Sequence, residues 1–355
     1  MSPLSLTSIV RPVRRAPRHL VPTAVVLALA GTGAAQAADT LVVSWWGYNG
    51  EKLDANVTQP FQALCDCELV FETGNNADRL NKVIARKGRG VDVIFLTDNF
   101  SQTGIEAGVF QPIDRAALTN LDKLYELAQA PQGEYGPAYS VGRAGLVYDS
   151  AKVEPLTRWN DLWREDLAGS LSIPGITTTA GPMVVVKAGD RAGVNAYEDP
   201  DGAFAALEQL RPNIVKSFRS GSELVNLVST GEVSAAMAQD FAFGALQEAV
   251  PTMTWADLED GDIATLNTLN IPSGASEVEL AHRFIDFMLS TDVQQIQAEQ
   301  GVDAPVNTEV TLNEEQAARW TYGQEQIDSL QRMDYQRMNA ARIDWIDRWN
   351  ELFGG

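Results

Sequence analysis

The chain alternates short apolar runs with longer amphipathic stretches. Runs rich in β-branched and aromatic residues predict strands, and they occur at 40–46, 68–72, 91–96, 145–149, 170–173, 215–218 and 232–237. Between these runs, apolar residues recur at spacings of three and four, as at Leu53, Val57, Phe61 and Leu64. That spacing is typical of helices packed on a sheet. Alternation of strands and helices predicts an α/β fold.

Two further extended segments, near 140 and near 267, lie between two α/β units. Two strands that cross between two units make a hinge. Open α/β sheets bind ligands in the cleft that faces the carboxyl ends of their strands. We therefore expect a cleft between two lobes, with the crossing strands at its base.

The crossing points set the expected lobe boundaries. The first lobe takes residues 38–141 together with 267–309. The second takes residues 142–266 together with 310–355, which include the C-terminal helices. Within these lobes, Asn76 and the pattern Ser276-x-x-Glu279 each predict the N-terminus of a helix.

The first 37 residues have the order of a secretory signal peptide. Four arginines precede an apolar run at 20–31, and Ala35-Gln36-Ala37 provides a small-x-small cleavage site. The apolar run is shorter than the roughly 20 residues that a membrane-spanning helix needs. We predict that residues 1–37 are removed and that the mature chain resides in the periplasm.

The charge balance excludes several classes of partner. The sequence has 27 lysines and arginines against 47 aspartates and glutamates, and loss of the four signal arginines leaves 23 against 47, a net charge of −24. Nucleic acids and anionic lipid surfaces attract basic faces, so this balance argues against both. An acidic surface either draws cations toward a cleft or keeps the protein soluble, and both interpretations stay open.

Few residues can support catalysis or metal binding. His282 is the one histidine outside the signal peptide, and it lies in a helical pattern beside core positions, which favours a structural role over a triad or a zinc site. Cys65 and Cys67 are the only cysteines; a local disulfide and two free thiols both remain open. We predict no enzymatic activity, no cofactor and no metal, and a secreted enzyme is the alternative from another class.

Candidate ligand contacts lie where strands lead into helices. Trp46 and Tyr48 follow the first strand, and aromatic faces suit ammonium groups and alkyl chains. Asn76 either caps a helix or contacts an anion at that helix N-terminus. Asp98, after the third strand, either meets a cation or caps the next helix.

The second unit offers polar junctions of the same kind. Thr178 and Thr179 place uncharged hydroxyls at a helix start, and Gln239 and Asp240 follow a strand. Asp240 is either an N-cap or a carboxylate that holds an amine. Asn267 lies on the second crossing segment. These junctions contain neither a nucleophile beside a base nor three metal ligands, which favours binding over catalysis.

The order of several segments resembles the solute-binding proteins of ABC importers, in particular the spermidine/putrescine-binding type. The segments are VDVIFLTDNFSQTGIEAGVFQPID (91–114), GPAYSVGRAGLVYDSAKV (136–153), WNDLW (159–163), STGEVSAAMA (229–238), IPSGASEVELAHRFIDFMLS (271–290) and GVDAPVN (301–307). The resemblance spans nearly the whole mature chain. It implies a two-lobe periplasmic-binding-protein fold of type II, lobe closure over a solute, and a monomer that delivers this solute to a membrane permease with a cytoplasmic ATPase.

The resemblance also assigns roles to individual positions. Polyamine binders of this family hold amines with acidic side chains and enclose the carbon chain with aromatic rings. Trp46 falls where an aromatic ring of that enclosure is expected, whereas Asn99 and Phe100 fall where the family shows a pair of tyrosines. Thr179 and Asn267 stand where the family has carboxylates.

These departures shape the expected ligand. Gln239 stands where the family has a tryptophan, and Asp98 and Asp240 are the substitute carboxylates for a smaller amine or a zwitterion. We predict a polyamine-like amine or a zwitterion as the solute. The alternative is a small carboxylate or phosphonate held at helix N-termini. Sensing through a membrane receptor is the alternative to transport.

Overall fold

The computed structural model describes residues 39–354. The signal peptide predicted over residues 1–37 lies outside this range and stays a prediction. Within the range, no helix combines the length and the apolar character that crossing a membrane requires.

The strands of the described chain form one mixed sheet. Their order is β2-β1-β3-β10-β5-β8-β6-β7, and β4 and β9 pair with β10 and β5 respectively. The bounds are β1 (Thr40–Trp45), β2 (Glu68–Thr73), β3 (Val93–Thr97), β4 (Phe110–Gln111), β5 (Ala138–Asp149), β6 (Leu171–Pro174), β7 (Ile214–Phe218), β8 (Ala235–Gln239), β9 (Met253–Trp255) and β10 (Ile263–Pro272).

The helices cover the faces of this sheet. Their bounds are α1 (Gly50–Leu53), α2 (Gln59–Cys65), α3 (Asn76–Ala85), α4 (Asp98–Glu106), α5 (Glu126–Gln129), α6 (Gly181–Ala192), α7 (Pro200–Leu210), α8 (Gly221–Ser229), α9 (Phe243–Ala249), α10 (Val278–Met288), α11 (Thr291–Glu299), α12 (Glu314–Ala317), α13 (Gln324–Asp328) and α14 (Tyr335–Phe353). The α/β class predicted from the sequence pattern is therefore confirmed.

Two long antiparallel strands join two sets of parallel strands. β1 pairs in parallel with β2 and β3, and β6 pairs in parallel with β7 and β8. Between these sets, β10 runs antiparallel to β3 and β5, and β5 runs antiparallel to β8. The segments predicted to cross near 140 and 267 are thus β5 and β10, and they pair with each other.

Two large hydrophobic clusters flank the crossing strands. The first includes Val43, Phe95 and Phe284, and the second includes Leu207 and Trp345. Each cluster fills the space between strands and helices because the strands of a parallel sheet are apolar on both faces.

The division of the chain into lobes stays a prediction. Ile327 belongs to the first cluster, and Trp320 packs against it. This packing favours a boundary near residue 331 over one at residue 310, since Leu330 still packs against the first cluster and Met333 packs against the second.

Two predicted helix starts differ in the structure. Asn75, not Asn76, caps α3, because its Oδ1 accepts a hydrogen bond from the Asp78 amide at 2.8 Å. The Ser276 capping box is wrong: α10 begins at Val278, and the Ser276 amide and hydroxyl donate to Asp92 Oδ1 at 2.8 and 3.1 Å. Ser276 thus bonds to the buried carboxylate of Asp92 instead of capping the helix, which is the role that the local pattern predicts.

The cysteines and the histidine of the mature chain, whose chemistry the sequence left open, all make structural contacts. Cys65 and Cys67 form a disulfide, which resolves that alternative. His282 is buried; its Nε2 accepts a hydrogen bond from the Asp114 amide at 2.9 Å, and its Nδ1 donates to the Val278 carbonyl at 2.7 Å. Both ring nitrogens are engaged within the protein, which agrees with the structural role favoured from the sequence.

Candidate functional site

A cavity of about 600 Å³ lies against the two crossing strands. β5 lines it with Ser140 and Gly142, and β10 lines it with Thr265 and Asn267. The carboxyl ends of β1 and β3 reach it from one side and the carboxyl end of β8 from the other. This is the position at which open α/β sheets hold ligands.

Trp46 forms part of the first wall and is held by a buried arginine. Its indole Nε1 donates to Asn76 Oδ1 at 2.9 Å, and the Arg79 guanidinium lies 5.0 Å from its ring centre. Arg79 is fully buried and donates to the carbonyls of Ser44 and Phe95 at 3.0 and 2.7 Å, and to Asn76 Oδ1 at 3.1 Å. Burial lowers the pKa of Arg79 to about 10, so it remains a cation that fixes this wall.

Asp303 is a carboxylate on the same wall that the sequence analysis did not identify. It is half-buried after α11, and Tyr48 donates its hydroxyl proton to Asp303 Oδ1 at 3.0 Å. Burial raises the pKa of Asp303 to about 6, against the opposing effect of the Tyr48 hydrogen bond. Trp320 also lines the cavity, and its Nε1 donates to the Ala298 carbonyl at 3.1 Å.

Asp240 is the carboxylate of the opposite wall. It follows β8 and is half-buried; its Oδ2 accepts hydrogen bonds from the Arg143 amide at 3.1 Å and the Thr321 hydroxyl at 2.6 Å. Burial raises the pKa of Asp240, while Thr321 and Arg143 oppose that rise. Thr179 and Gln239 line the cavity beside it.

Gly142 permits the close approach of Asp240 to β5. A Cβ at this position would lie 2.8 Å from Asp240 Oδ1 and 3.0 Å from Thr265 Oγ1. Real side chains avoid such distances, so the crossing strand needs glycine where the carboxylate meets it.

Asp98 and Asn99 do not line the cavity. Asp98 is 4% exposed, and its two oxygens accept hydrogen bonds from the amides of Asn99 at 2.9 Å and Leu266 at 3.1 Å. The Asn99 side chain accepts a hydrogen bond from Thr97 Oγ1 at 2.6 Å. These two residues therefore lie behind the wall that Thr97 presents.

The remaining predicted residues line one or both of two adjacent cavities. Phe100 and Thr178 line a second cavity of about 470 Å³. The predicted residues that line the first cavity are Trp46, Tyr48, Asn76, Thr179, Gln239, Asp240 and Asn267. The chain thus brings together residues more than two hundred positions apart.

At two helix N-termini near the cavity, a side chain just before the helix accepts one of the first backbone amides. Thr178 Oγ1 accepts the Gly181 amide at 3.0 Å at the start of α6, as Asn75 does for α3. Within residues 39–354, no three histidine, cysteine or carboxylate side chains converge as a metal ion requires.

Comparison with known proteins places the chain in a family. The sequence model described as bacterial extracellular solute-binding protein matches residues 90–330, more than half of the chain. The spermidine/putrescine-binding periplasmic protein of Salmonella typhimurium is 26% identical over 291 residues, which cover 79% of this chain and 82% of that protein. The putrescine-binding periplasmic protein PotF of Escherichia coli is 24% identical over 301 residues, with coverage of 77% and 79%.

Solved structures agree with this assignment. An ABC transporter structure from Clostridium perfringens has a TM-score of 0.83 to this chain and 37% sequence identity, and the match covers 88% of this chain and 99% of that one. The two-lobe fold of type II expected from the sequence, and the resemblance to spermidine/putrescine-binding proteins, are confirmed. The chain therefore belongs to the family of bacterial extracellular solute-binding proteins.

Proposed function

We propose that this protein is the substrate-binding component of an ABC importer and captures a small organic amine in the cavity between its lobes. One observation carries the proposal: two carboxylates, Asp240 and Asp303, face one cavity together with the rings of Trp46, Tyr48 and Trp320. Among residues 39–354, no lysine or arginine lines this cavity.

This arrangement suits a protonated amine on physical grounds. An ammonium group that donates to a carboxylate makes a charge-assisted hydrogen bond, which is stronger than a neutral one. Aromatic faces add about 0.5–2 kcal/mol of cation–π attraction when the cation is desolvated. With a pKa of about 6, Asp303 is mostly ionised at neutral pH, and a bound ammonium ion favours its charged form further.

The two carboxylates reach the cavity from opposite sides of the crossing strands. Tyr48 and Asp303 lie on the side of β1, and Asp240 follows β8. A solute that contacts both sides favours the closed arrangement of the lobes, because it gains contacts there that the open form lacks. The closed form is then the one presented to the permease and its ATPase.

The similarity to an ABC transporter structure and to periplasmic polyamine-binding proteins supports this role. We place the mature protein in the periplasm, after removal of the signal peptide over residues 1–37. It releases the solute to the permease without altering it. N-terminal sequencing of the secreted protein, with Ala38 as the expected first residue, tests the processing step.

An anion is the less supported solute. That alternative depends on free N–H groups at helix N-termini. The caps of α3 and α6 already use the amides of Asp78 and Gly181, and both carboxylates of the cavity repel an anion.

Isothermal titration calorimetry against diamines, alkylamines, amino acids, carboxylates and phosphonates tests the proposal. We expect binding of amine-bearing solutes, and a loss of about tenfold or more in affinity in Asp303→Asn, since a charge-assisted hydrogen bond contributes about 1.5–3 kcal/mol. The control is Asp122→Asn, an exposed acid remote from the cavity lining. Binding of simple anions with equal or higher affinity in Asp303→Asn would overturn the amine assignment.

A measurement of amine uptake distinguishes a role in transport from a role in sensing. A strain that lacks this protein should lose import of the radiolabelled amine and regain it with the wild-type chain. Normal import in that strain, with loss of a response to the amine, would instead favour sensing.

A further inference from the structure

A second cavity adjoins the proposed amine site. Its volume is about 470 Å³, and it shares four lining residues with the first cavity: Asn76, Thr179, Gln239 and Phe241. A solute longer than the first cavity can therefore extend into the second without leaving the cleft.

The two cavities have opposite charge. Asp240 and Asp303 are the charged side chains that line the first, whereas Arg219 is the one charged side chain of the described chain that lines the second. Within residues 39–354, no carboxylate lies within salt-bridge distance of the Arg219 guanidinium. Glu223, in the helix that follows, pairs with Lys216 and accepts the backbone amide of Arg219 at 2.9 Å.

Apolar surface lies in the second cavity beside the shared wall. Phe100 and Phe218 line it, and Phe241 lines both cavities while 72% exposed. A large aromatic ring exposed inside a cleft marks a surface that a ligand covers. The joined cavities thus carry carboxylates in the first cavity, aromatic rings in both and a guanidinium in the second.

From this distribution of groups between the two cavities, we infer that the solute is bipolar. It carries a protonated amine at one end, a short hydrocarbon chain in the middle and a carboxylate at the other end, so that its chemical class is the ω-amino carboxylates. Asp240 and Asp303 hold the amine, Phe100 and Phe241 flank the chain, and Arg219 holds the carboxylate. Guanidinium groups bind carboxylates through two parallel hydrogen bonds. The inference rests on the proposed function and specifies the solute class of that site.

Calorimetry with matched ligands tests the inference. The first series is butylamine, 1,4-diaminobutane and 4-aminobutanoate, and the second is the set of six-carbon equivalents. Only the distal group changes within a series: methyl, ammonium or carboxylate. We expect the carboxylate member to bind at least about tenfold tighter than the alkylamine in one series or both, which corresponds to one charge-assisted interaction.

Arg219→Gln should reduce the ratio of these two affinities to about one. The matched control is Arg211→Gln. Arg211 lies in the same lobe and is exposed, but it lines neither cavity, so this variant should keep the wild-type ratio. Equal ratios in Arg219→Gln and Arg211→Gln would overturn the role of Arg219.

The outcomes separate this inference from the proposed function. If the diamines and alkylamines bind and the amino carboxylates bind no tighter, the bipolar solute is wrong and the amine site stands. If no member of either series binds, the amine site fails and the bipolar solute fails with it.

Discussion

Asp98 and Asp240 occupy similar places on opposite sides of the crossing strands, yet only Asp240 lines the cavity beside those strands. Each comes directly after a strand, β3 for Asp98 and β8 for Asp240. Each also accepts a hydrogen bond from the backbone of a crossing strand, from Leu266 in β10 and from Arg143 in β5. Asp98 is nevertheless buried away from the cavity, while Asp240 is half-buried and lines it.

The difference comes from what covers each carboxylate. α14 packs against α4 near Asp98, where the buried Tyr335 lies beside the carboxylate, and Gln132 donates to the Asp98 carbonyl. Among residues 39–354, the Thr321 hydroxyl is the one side chain that donates a hydrogen bond to the Asp240 carboxylate, and Asp240 lines the cavity. The position of an aspartate after a strand therefore predicts where its carboxylate lies. Whether that carboxylate is covered depends on a segment much later in the chain, which for Asp98 is α14.

The largest expected effect is on stability at Asp98. Asp98→Ala leaves the amides of Asn99 and Leu266 buried without acceptors, and each such loss costs about 1–3 kcal/mol. We therefore expect the free energy of unfolding to fall by about 2–6 kcal/mol in urea denaturation monitored by tryptophan fluorescence. If Asp98→Ala lowers the free energy of unfolding no more than the surface variant Asp122→Asn does, then Asp98 does not stabilise the crossing strand.

Asp240→Asn should act mainly on binding. The amide keeps the shape of the side chain but removes the charge, so amine affinity should fall about 10- to 100-fold, or about 1.4–2.8 kcal/mol. Calorimetry gives the affinity, and Asp98→Asn is the matched comparison. An Asp98→Asn variant that loses more affinity than Asp240→Asn would reverse the roles assigned to the two carboxylates.

The burial of Asp98 also predicts that the stability of the protein depends on pH. Burial raises the pKa of Asp98 from 3.8 to about 7. The native state then keeps a proton that the unfolded state releases, so this contribution to stability is full below about pH 4 and is lost as the pH rises through 7. Between pH 4.5 and 7.5, the unfolding free energy of Asp98→Asn should decline less than that of the wild type, by about 1–3 kcal/mol. Parallel curves for the two proteins would contradict the raised pKa.

The smallest expected effect tests how β5 supports Asp240. In Gly142→Ala, the new methyl group meets the Asp240 carboxylate and the Thr265 hydroxyl, and displacing them should weaken amine binding about three- to tenfold. Gly244→Ala is the control, because a Cβ there has no neighbour within 4 Å. Unchanged affinity in Gly142→Ala would mean that Asp240 binds without support from the crossing strand.

The sequence pattern predicted the fold better than the site. Continuous apolar runs such as residues 91–96 identify strands without any tertiary information, since a strand buried on both faces needs them. The crossing strands can also be predicted, because their extended segments lie between the two units in which strands and helices alternate. Ser276 shows the limit: its partner Asp92 is 184 positions away, and a local pattern cannot contain such a contact.

Site residues on strand ends were accessible to sequence reasoning, whereas those on returning segments were not. Trp46 and Asp240 directly follow strands, so their direction toward the cleft can be inferred. Asp303 lies in a loop after α11 and reaches the cavity because α11 packs on the first hydrophobic cluster through Val293. Its one signal is the segment GVDAPVN, which contributed to the family resemblance but carries no chemical motif. Arg79 is fully buried, but the sequence pattern alone shows it only as a polar residue within a predicted helix, so its burial cannot be inferred.

A crystal structure of the protein with the tightest-binding amine of the calorimetric series tests the central claim most directly. We predict that the ligand nitrogen lies about 2.7–3.2 Å from a carboxylate oxygen of Asp240 or Asp303, next to Trp46, with Asp98 unchanged in its contacts to the backbone. A ligand bound outside this cavity, or one that presents an uncharged or anionic group to both carboxylates, would contradict the account.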